Sequence, residues 1–133
     1  MTDAGHSIAL DPIVIVEDND MNAQLLRHQL RRLGFGATAH FADAEDALDW
    51  LQNHPCLLVF TDWQMFPVDG AAFVRRYRRW ESARDLRRLV IAVTASAMAC
   101  DYESCLNAGA DDCLRKPLSL GELSGTLKKW GVL

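Results

Sequence analysis

The chain is short of every feature that would mark a membrane, secreted or nucleic-acid-binding protein. Its apolar runs cover only a few residues each, far below the roughly 20 that a membrane-spanning helix needs. Met1 to Leu10 carries neither a basic stretch nor an apolar core, so no secretory signal is read there. Charge of one sign is not in excess. With 14 Lys and Arg against 18 Asp and Glu, the net charge of −4 gives no field favouring nucleic acid or an anionic membrane. The four cysteines, Cys56, Cys100, Cys105 and Cys113, include no C-x-x-C pair and lie at no finger-like spacing from a histidine, which argues against structural zinc. They read as buried or half-buried thiols of a reducing compartment, with Cys100 and Cys105 turned apart on one helix. The histidines (His6, His28, His40, His54) are scattered, and none is expected at the carboxyl end of a strand. Repeats, linkers and low-complexity tracts are missing as well. A chain of 133 residues, half of them hydrophobic, is therefore expected to be one domain with a core of its own.

What is present is alternation. Pro12 introduces Ile13-Val14-Ile15-Val16, and Leu57-Leu58-Val59-Phe60-Thr61 runs into Asp62. Leu89 to Val93 ends at Thr94, and Asp112 to Arg115 ends at Lys116-Pro117. Continuous apolar runs of this length read as strands buried on both faces. Gly36 to Phe41, mixed in polarity, belongs nearer the sheet edge. Between the strands lie helical periods. The first is capped by Asn19 or Asp20 and runs to about Leu33, with Leu26, Leu30 and Leu33 on one stripe, Leu25 beside it and Gly34 as the stop. The others span Asp43 to Leu51, about Ala71 to Glu81 (Phe73, Val74 and Tyr77 inward, arginines outward), Ala95 to Ala108, and about Ser119 to Trp130. Five strands alternating with five helices predict an α/β fold: a doubly wound, five-stranded parallel sheet of order 2-1-3-4-5 in a flavodoxin-like three-layer sandwich. Its core is expected over about 12–131, behind a loose leader at 1–11.

The strand ends carry the chemistry. Glu17 and Asp18 follow the first strand, Asp62 ends the third, Thr94 the fourth, and Lys116 follows the fifth. The order 2-1-3-4-5 sets the first and third strand ends side by side at the switch point, where open α/β sheets bind ligands. Carboxylates gathered there repel one another unless a cation joins them. Hard oxygen donors suit Mg²⁺, while an ammonium and a hydroxyl suit phosphoryl oxygens.

In that order and at those strand ends, Glu17-Asp18, Asp62, Asp69-Gly70, Thr94-Ala95 and Lys116-Pro117 make the chain resemble a receiver domain of two-component response regulators, from about Ile13 to Trp130. The resemblance implies that Asp62 accepts a phosphoryl group from a phosphohistidine on a histidine kinase or histidine phosphotransfer protein. It implies Mg²⁺ (or Mn²⁺) held by Asp18, Asp62 and the Gln64 main-chain carbonyl, with Glu17 acting through a water. Thr94, Ala95 and Lys116 would bind the phosphoryl oxygens, the Lys116-Pro117 peptide would be cis, and Asp69 and Gly70 would shape the adjoining loop. The protein would catalyse its own phosphorylation and dephosphorylation and turn over no free substrate. It would work in a bacterial cytoplasm, alone or as the cytoplasmic part of a membrane sensor.

Two departures from the family pattern stand out. Phe66 precedes Pro67 where the family usually has proline directly after Met65, which predicts an altered loop. Cys113 takes the place usually held by a switching aromatic residue, a feature similar to receivers fused to hybrid sensor kinases. With no effector domain after Leu133, a single-domain regulator or a piece of a larger sensor is expected.

Other readings fit less well. An aspartyl-nucleophile hydrolase needs an acid two residues after the nucleophile, where Gln64 stands. A flavin carrier would meet its phosphate with Glu17-Asp18-Asn19-Asp20, which repels it. A pseudo-receiver that binds partners without phosphorylation would not need the full acid, Thr and Lys set. Arg75, Arg76, Arg78, Arg79, Arg84, Arg87 and Arg88 read as a solvated face suited to an acidic partner, and Trp63 as a rim residue.

Overall fold

The computed structural model describes residues 11–95 and 99–133, and only the backbone of 99–101. Apart from Asp11, the leader expected at 1–11 lies outside the described residues, with His6, the first turn expected for the fourth helix and the Cys100 side chain. Five strands, β1 Ile13–Val16, β2 Thr38–Phe41, β3 Leu58–Asp62, β4 Val90–Thr94 and β5 Asp112–Arg115, alternate with five helices. These are α1 Asp20–Arg32, α2 Ala44–Leu51, α3 Gly70–Ser82, α4 Ala99–Ala108 and α5 Leu120–Lys129. The strands are parallel in the order β2-β1-β3-β4-β5, the doubly wound arrangement expected.

Period-two alternation sorts the strand side chains onto two faces. Ile13, Ile15, Leu58, Phe60, Ile91, Val93 and Leu114 pack with Ala23, Leu26 and Leu30 of α1 and Leu123 and Leu127 of α5. Val14, Val16, Val59, Val90 and Ala92 pack on the other side with the apolar stripes of α2 and α3 and with Cys105 and Ala108 of α4. β1, β3 and β4 are buried along their whole length. β2, at the edge, is half-buried, in keeping with its mixed polarity.

Side-chain caps start four of the helices: Asn19 accepts from the Asn22 amide, Asp43 from Glu45, Asp69 from Ala72 and Ser119 from Glu122. Leu25, expected beside the α1 stripe, is half exposed at the mouth of a cleft described below.

The arginine face needs correction. Arg78 is only 12% exposed, and its guanidinium donates to Glu81, Gly109 O, Arg88 O and Asp111 at 2.7–2.8 Å. Arg88 in turn donates to Leu51 O, His54 O and the Tyr77 hydroxyl, while its amide donates to Glu81. Glu81, 2% exposed, is thus a buried charge paired on both sides. Two of the seven arginines are struts between elements. Burial pushes the neighbouring Cys56 thiol up to about 11 and, with the Glu81 charge, holds the Tyr77 hydroxyl above its ordinary range. Gly109 closes α4 at φ +117°, and a Cβ there would stand 2.8 Å from Arg78 Cγ, so glycine is required by conformation and space together.

Candidate functional site

Parallel register brings the strand ends to one edge. Val16 pairs with Thr61 and Asp62 with Val93, which sets Glu17 beside Asp62. Thr94 pairs with Arg115, and the Lys116 amide donates to Thr94 O at 2.7 Å. Glu17, Asp18 and Asp62 each offer a carboxylate oxygen within 4.8 Å of the others. Glu17 and Asp62 are buried and Asp18 is exposed, so the cluster opens to solvent on one side.

Lys116 Nζ lies 3.0 Å from both Glu17 Oε1 and Asp62 Oδ1. Burial by itself would lower the Lys116 ammonium, but these carboxylates outweigh it and hold it above its ordinary range. Burial pushes the Glu17 carboxyl up to about 7; Asp62 adds to the rise and Lys116 opposes it. The Lys116–Pro117 peptide is cis.

The loop after Asp62 is held from both ends. Trp63 N donates to Val93 O and Gly70 N to Trp63 O. Trp63 was expected at the rim, yet it is buried in the core. Gly70 makes room for it: a Cβ there would lie 2.5 Å from Asp62 O and 2.7 Å from Trp63 Cε3. With Asp69 capping α3, the Asp69-Gly70 pair fixes where the strand carrying Asp62 meets its following helix. Met65 tucks into the core and Phe66 stands 87% exposed, with a cis peptide to Pro67.

The Gln64 side chain was not foreseen as a participant. Its Nε2 donates to Thr94 Oγ1 at 2.8 Å and its Oε1 accepts from Ala95 N at 3.1 Å, so one amide spans both phosphoryl-binding candidates. His40, expected in a structural or solvent role, is the penultimate residue of β2 and its Nε2 bonds Glu17 O at 2.8 Å. The β1–β2 register that sets His40 against Ile15 carries the information, but it is not local in sequence. Cys113 is half-buried on β5 and pairs with Ala92. From Glu17, Asp62 and Lys116 an open cavity of about 310 Å³ runs along α1 past Leu26 and Gln29 to Leu118.

No helix among the described residues is long and apolar enough to cross a membrane.

A family model described as the response regulator receiver domain matches residues 13–128. The sensor histidine kinase RcsC of Escherichia coli (strain K12) is 37% identical over 116 residues, covering 86% of this chain, which spans only 12% of that kinase. The receiver domain of sensor histidine kinase PA1611 from Pseudomonas aeruginosa, solved with magnesium coordinated in its active-site cleft, superposes with a TM-score of 0.78 at 33% identity, over 90% of this chain and 96% of that one. The receiver domain of Ssk1 from Saccharomyces cerevisiae, co-crystallised with the histidine phosphotransfer protein Ypd1, superposes with a TM-score of 0.83 at 26% identity, over 91% and 88% of the two chains.

Proposed function

The chain belongs to the response regulator receiver family, and on that premise we propose that it is a phosphoacceptor module of a two-component phosphorelay, with Asp62 as the nucleophile. One observation carries the reading: Lys116 bridges Asp62 and Glu17 inside a cluster of three carboxylates. Such an arrangement is costly unless the acids serve a cation and the ammonium serves an incoming anion.

The donor set fits Mg²⁺ or Mn²⁺: all oxygen, open on the Asp18 side, and made of three carboxylates beside one Lys116 ammonium. Asp18, Asp62 and the Gln64 main-chain carbonyl would hold the ion, with Glu17 acting through a water. When bound, it supplies neutralising charge for the phosphoryl oxygens. An Asp62 carboxylate oxygen attacks phosphorus in line as the P–N bond of the donor phosphohistidine breaks, and the imidazole nitrogen keeps the electron pair. Lys116 follows the charge from the Asp62 carboxylate to a phosphoryl oxygen. The Thr94 hydroxyl and the Ala95 amide donate to the others once the Gln64 amide swings aside. Cys113 stands where an aromatic residue would report the change, so reorganisation passes to α4, β5 and α5 by another route.

The partner is a histidine kinase or a histidine phosphotransfer protein in the cytoplasm. Likeness to the receiver regions of hybrid kinases supports an origin of that kind. Residues 12–131 are the core of a single receiver unit. A module that only bound partners would gain nothing from an ammonium held between two acids. Incubation with Mg²⁺ and a small acyl-phosphate donor should add about 80 Da to the intact mass. The gain should vanish in Asp62→Asn. An unchanged mass, or an undiminished gain in the variant, would overturn the reading.

A further inference from the structure

Outside the strand-end site, two sulfur atoms meet. Cys105 lies in the last turns of α4 and is fully buried, while Cys113 lies on β5, half-buried. The Cys105 thiol points at the Cys113 sulfur, with the two atoms 3.4 Å apart. Their approach is imposed by the backbone between them. Gly109 N donates to Leu106 O, Ala110 N to Cys105 O and Asp111 N to Val90 O, so the turn is bonded at each step. Arg78 clamps the same turn through Gly109 O and Asp111. Asp112, which accepts from the Cys113 amide, is engaged by Lys129 and the Trp130 indole. A disulfide sulfur–sulfur bond is about 2.05 Å, so rotation about the side-chain bonds has only about 1.4 Å to close.

We propose that Cys105 and Cys113 are a two-electron oxidation site, at which a hydroperoxide converts the pair into an intramolecular disulfide that ties α4 to β5. Cys113, the more accessible sulfur, attacks the peroxide O–O bond; one oxygen leaves as water or alcohol and Cys113 becomes a sulfenic acid. The Cys105 sulfur then displaces hydroxide, which takes the thiol proton and leaves as water. Each sulfur gives up one electron, and the two peroxide oxygens gain them. The bridge would join the two segments that deliver Thr94 and Lys116, because α4 begins five residues after Thr94 and Cys113 precedes Lys116 by three. It does not depend on Asp62 accepting phosphate, and its test reads the sulfur link and amide exchange, never phosphorylation.

The experiment treats the reduced intact chain with hydrogen peroxide, blocks remaining thiols and maps the peptides. Trypsin leaves Cys100, Cys105 and Cys113 on one fragment, since no Lys or Arg falls between Leu89 and Leu114. Cleavage after acidic residues separates them at Asp101, Glu103, Asp111 and Asp112. The expected product is lighter by about 2 Da, links Cys105 to Cys113 and reverts with dithiothreitol. Amide exchange across the end of α4 and β5 should slow by about tenfold in it. A chain with both Cys56→Ser and Cys100→Ser should behave identically, and Cys113→Ser should form no link. A crosslink through Cys100 or Cys56, sulfinic acid at Cys113 with Cys105 still a thiol, or unchanged exchange in the linked product would each overturn the proposal.

Discussion

Gln64, two residues past β3, and Thr94, which ends β4, share a 2.8 Å hydrogen bond through a side-chain amide that also accepts from Ala95. A neutral amide thus lies across the Thr94 hydroxyl oxygen, which accepts from it, and the Ala95 N–H, which donates to it. On the proposed function, these two bonds, each worth about 1 kcal/mol net, break before a phosphoryl group takes those positions. Gln64→Ala should therefore raise the initial rate of phosphorylation by a small acyl phosphate by up to roughly 30-fold. A rate at or below that of the unaltered chain, followed by intact mass, would show that the amide is no obstacle.

Lys116 is expected to act oppositely on two quantities. In Lys116→Met the phosphoryl oxygens lose their ammonium, and the phosphorylation rate should drop by on the order of 100-fold. Mg²⁺ should bind more tightly, because Glu17 and Asp62 lose the cation that now lies 3.0 Å from each. Calorimetric titration alongside the rate measurement separates the effects. A variant that loses both affinity and rate would point to a collapsed site instead.

Glu17 makes stability depend on pH in an unusual direction. Its folded-state pKa of about 7 lies above the ordinary 4.5, so between those values the folded chain binds more protons than the unfolded one. Stability therefore falls as pH rises through that window, by roughly 1–3 kcal/mol. With divalent ions chelated, urea denaturation from pH 5 to 8 should show the decline, and Glu17→Gln should flatten it. A chelated wild-type chain that grows more stable over this range would contradict the assignment.

Gly70 and Gly125 form a matched pair. Gly70→Ala drives a methyl group to 2.5 Å from Asp62 O and onto Trp63, whereas a methyl at Gly125, inside α5, meets nothing within 4 Å. The first should cost at least about 2 kcal/mol and slow phosphorylation, since the Asp62 backbone must shift. The second should add up to about 1 kcal/mol of helix stability. Thermal denaturation ranks them, and the reverse order would refute the packing account.

Arg78→Ala should be among the more damaging changes to a charged residue. It strands Glu81 with one partner fewer and leaves Gly109 O and Arg88 O without this donor, a loss of about 3 kcal/mol or more. Arg75→Ala, on the exposed side of the same helix, should cost less than about 0.5 kcal/mol. Equal urea midpoints for the two would show that Arg78 is solvated after all.

The elements were legible because their signals are local. Ile13 to Val16 is apolar and β-branched throughout, and Leu123 and Leu127 lie on a helical stripe that packs as expected. The edge place of β2 followed from its polarity. Strand ends could also be read, since a charge after an apolar run has few other uses, and Glu17, Asp18, Asp62, Thr94 and Lys116 do gather at one edge. What stayed hidden were contacts fixed by distant partners. A helical wheel places Arg78 outward, because it cannot show that Gly109 O and Arg88 O end nearby with lone pairs to fill. Trp63 looks like a rim residue until the missing side chain of Gly70 is seen to leave it a slot. His40 and Cys105 likewise meet Glu17 O and Cys113 only after the sheet has set its register.

The strut built on Arg78 lies at the amino-terminal ends of the strands, where Asp111 bonds Val90 N and Arg88 reaches Leu51 O and His54 O. The Arg78, Arg88, Glu81 and Asp111 charges there all bond to protein groups. At the opposite ends of the same strands, Glu17, Asp18, Asp62 and Lys116 form the cluster proposed to take an ion and a phosphoryl group. The sheet thus works like a hinge leaf screwed down along one margin. If phosphorylation triggers a rearrangement at the free margin, the clamp at the other margin opposes sliding of the strands and favours an exit sideways through the flanking helices and loops.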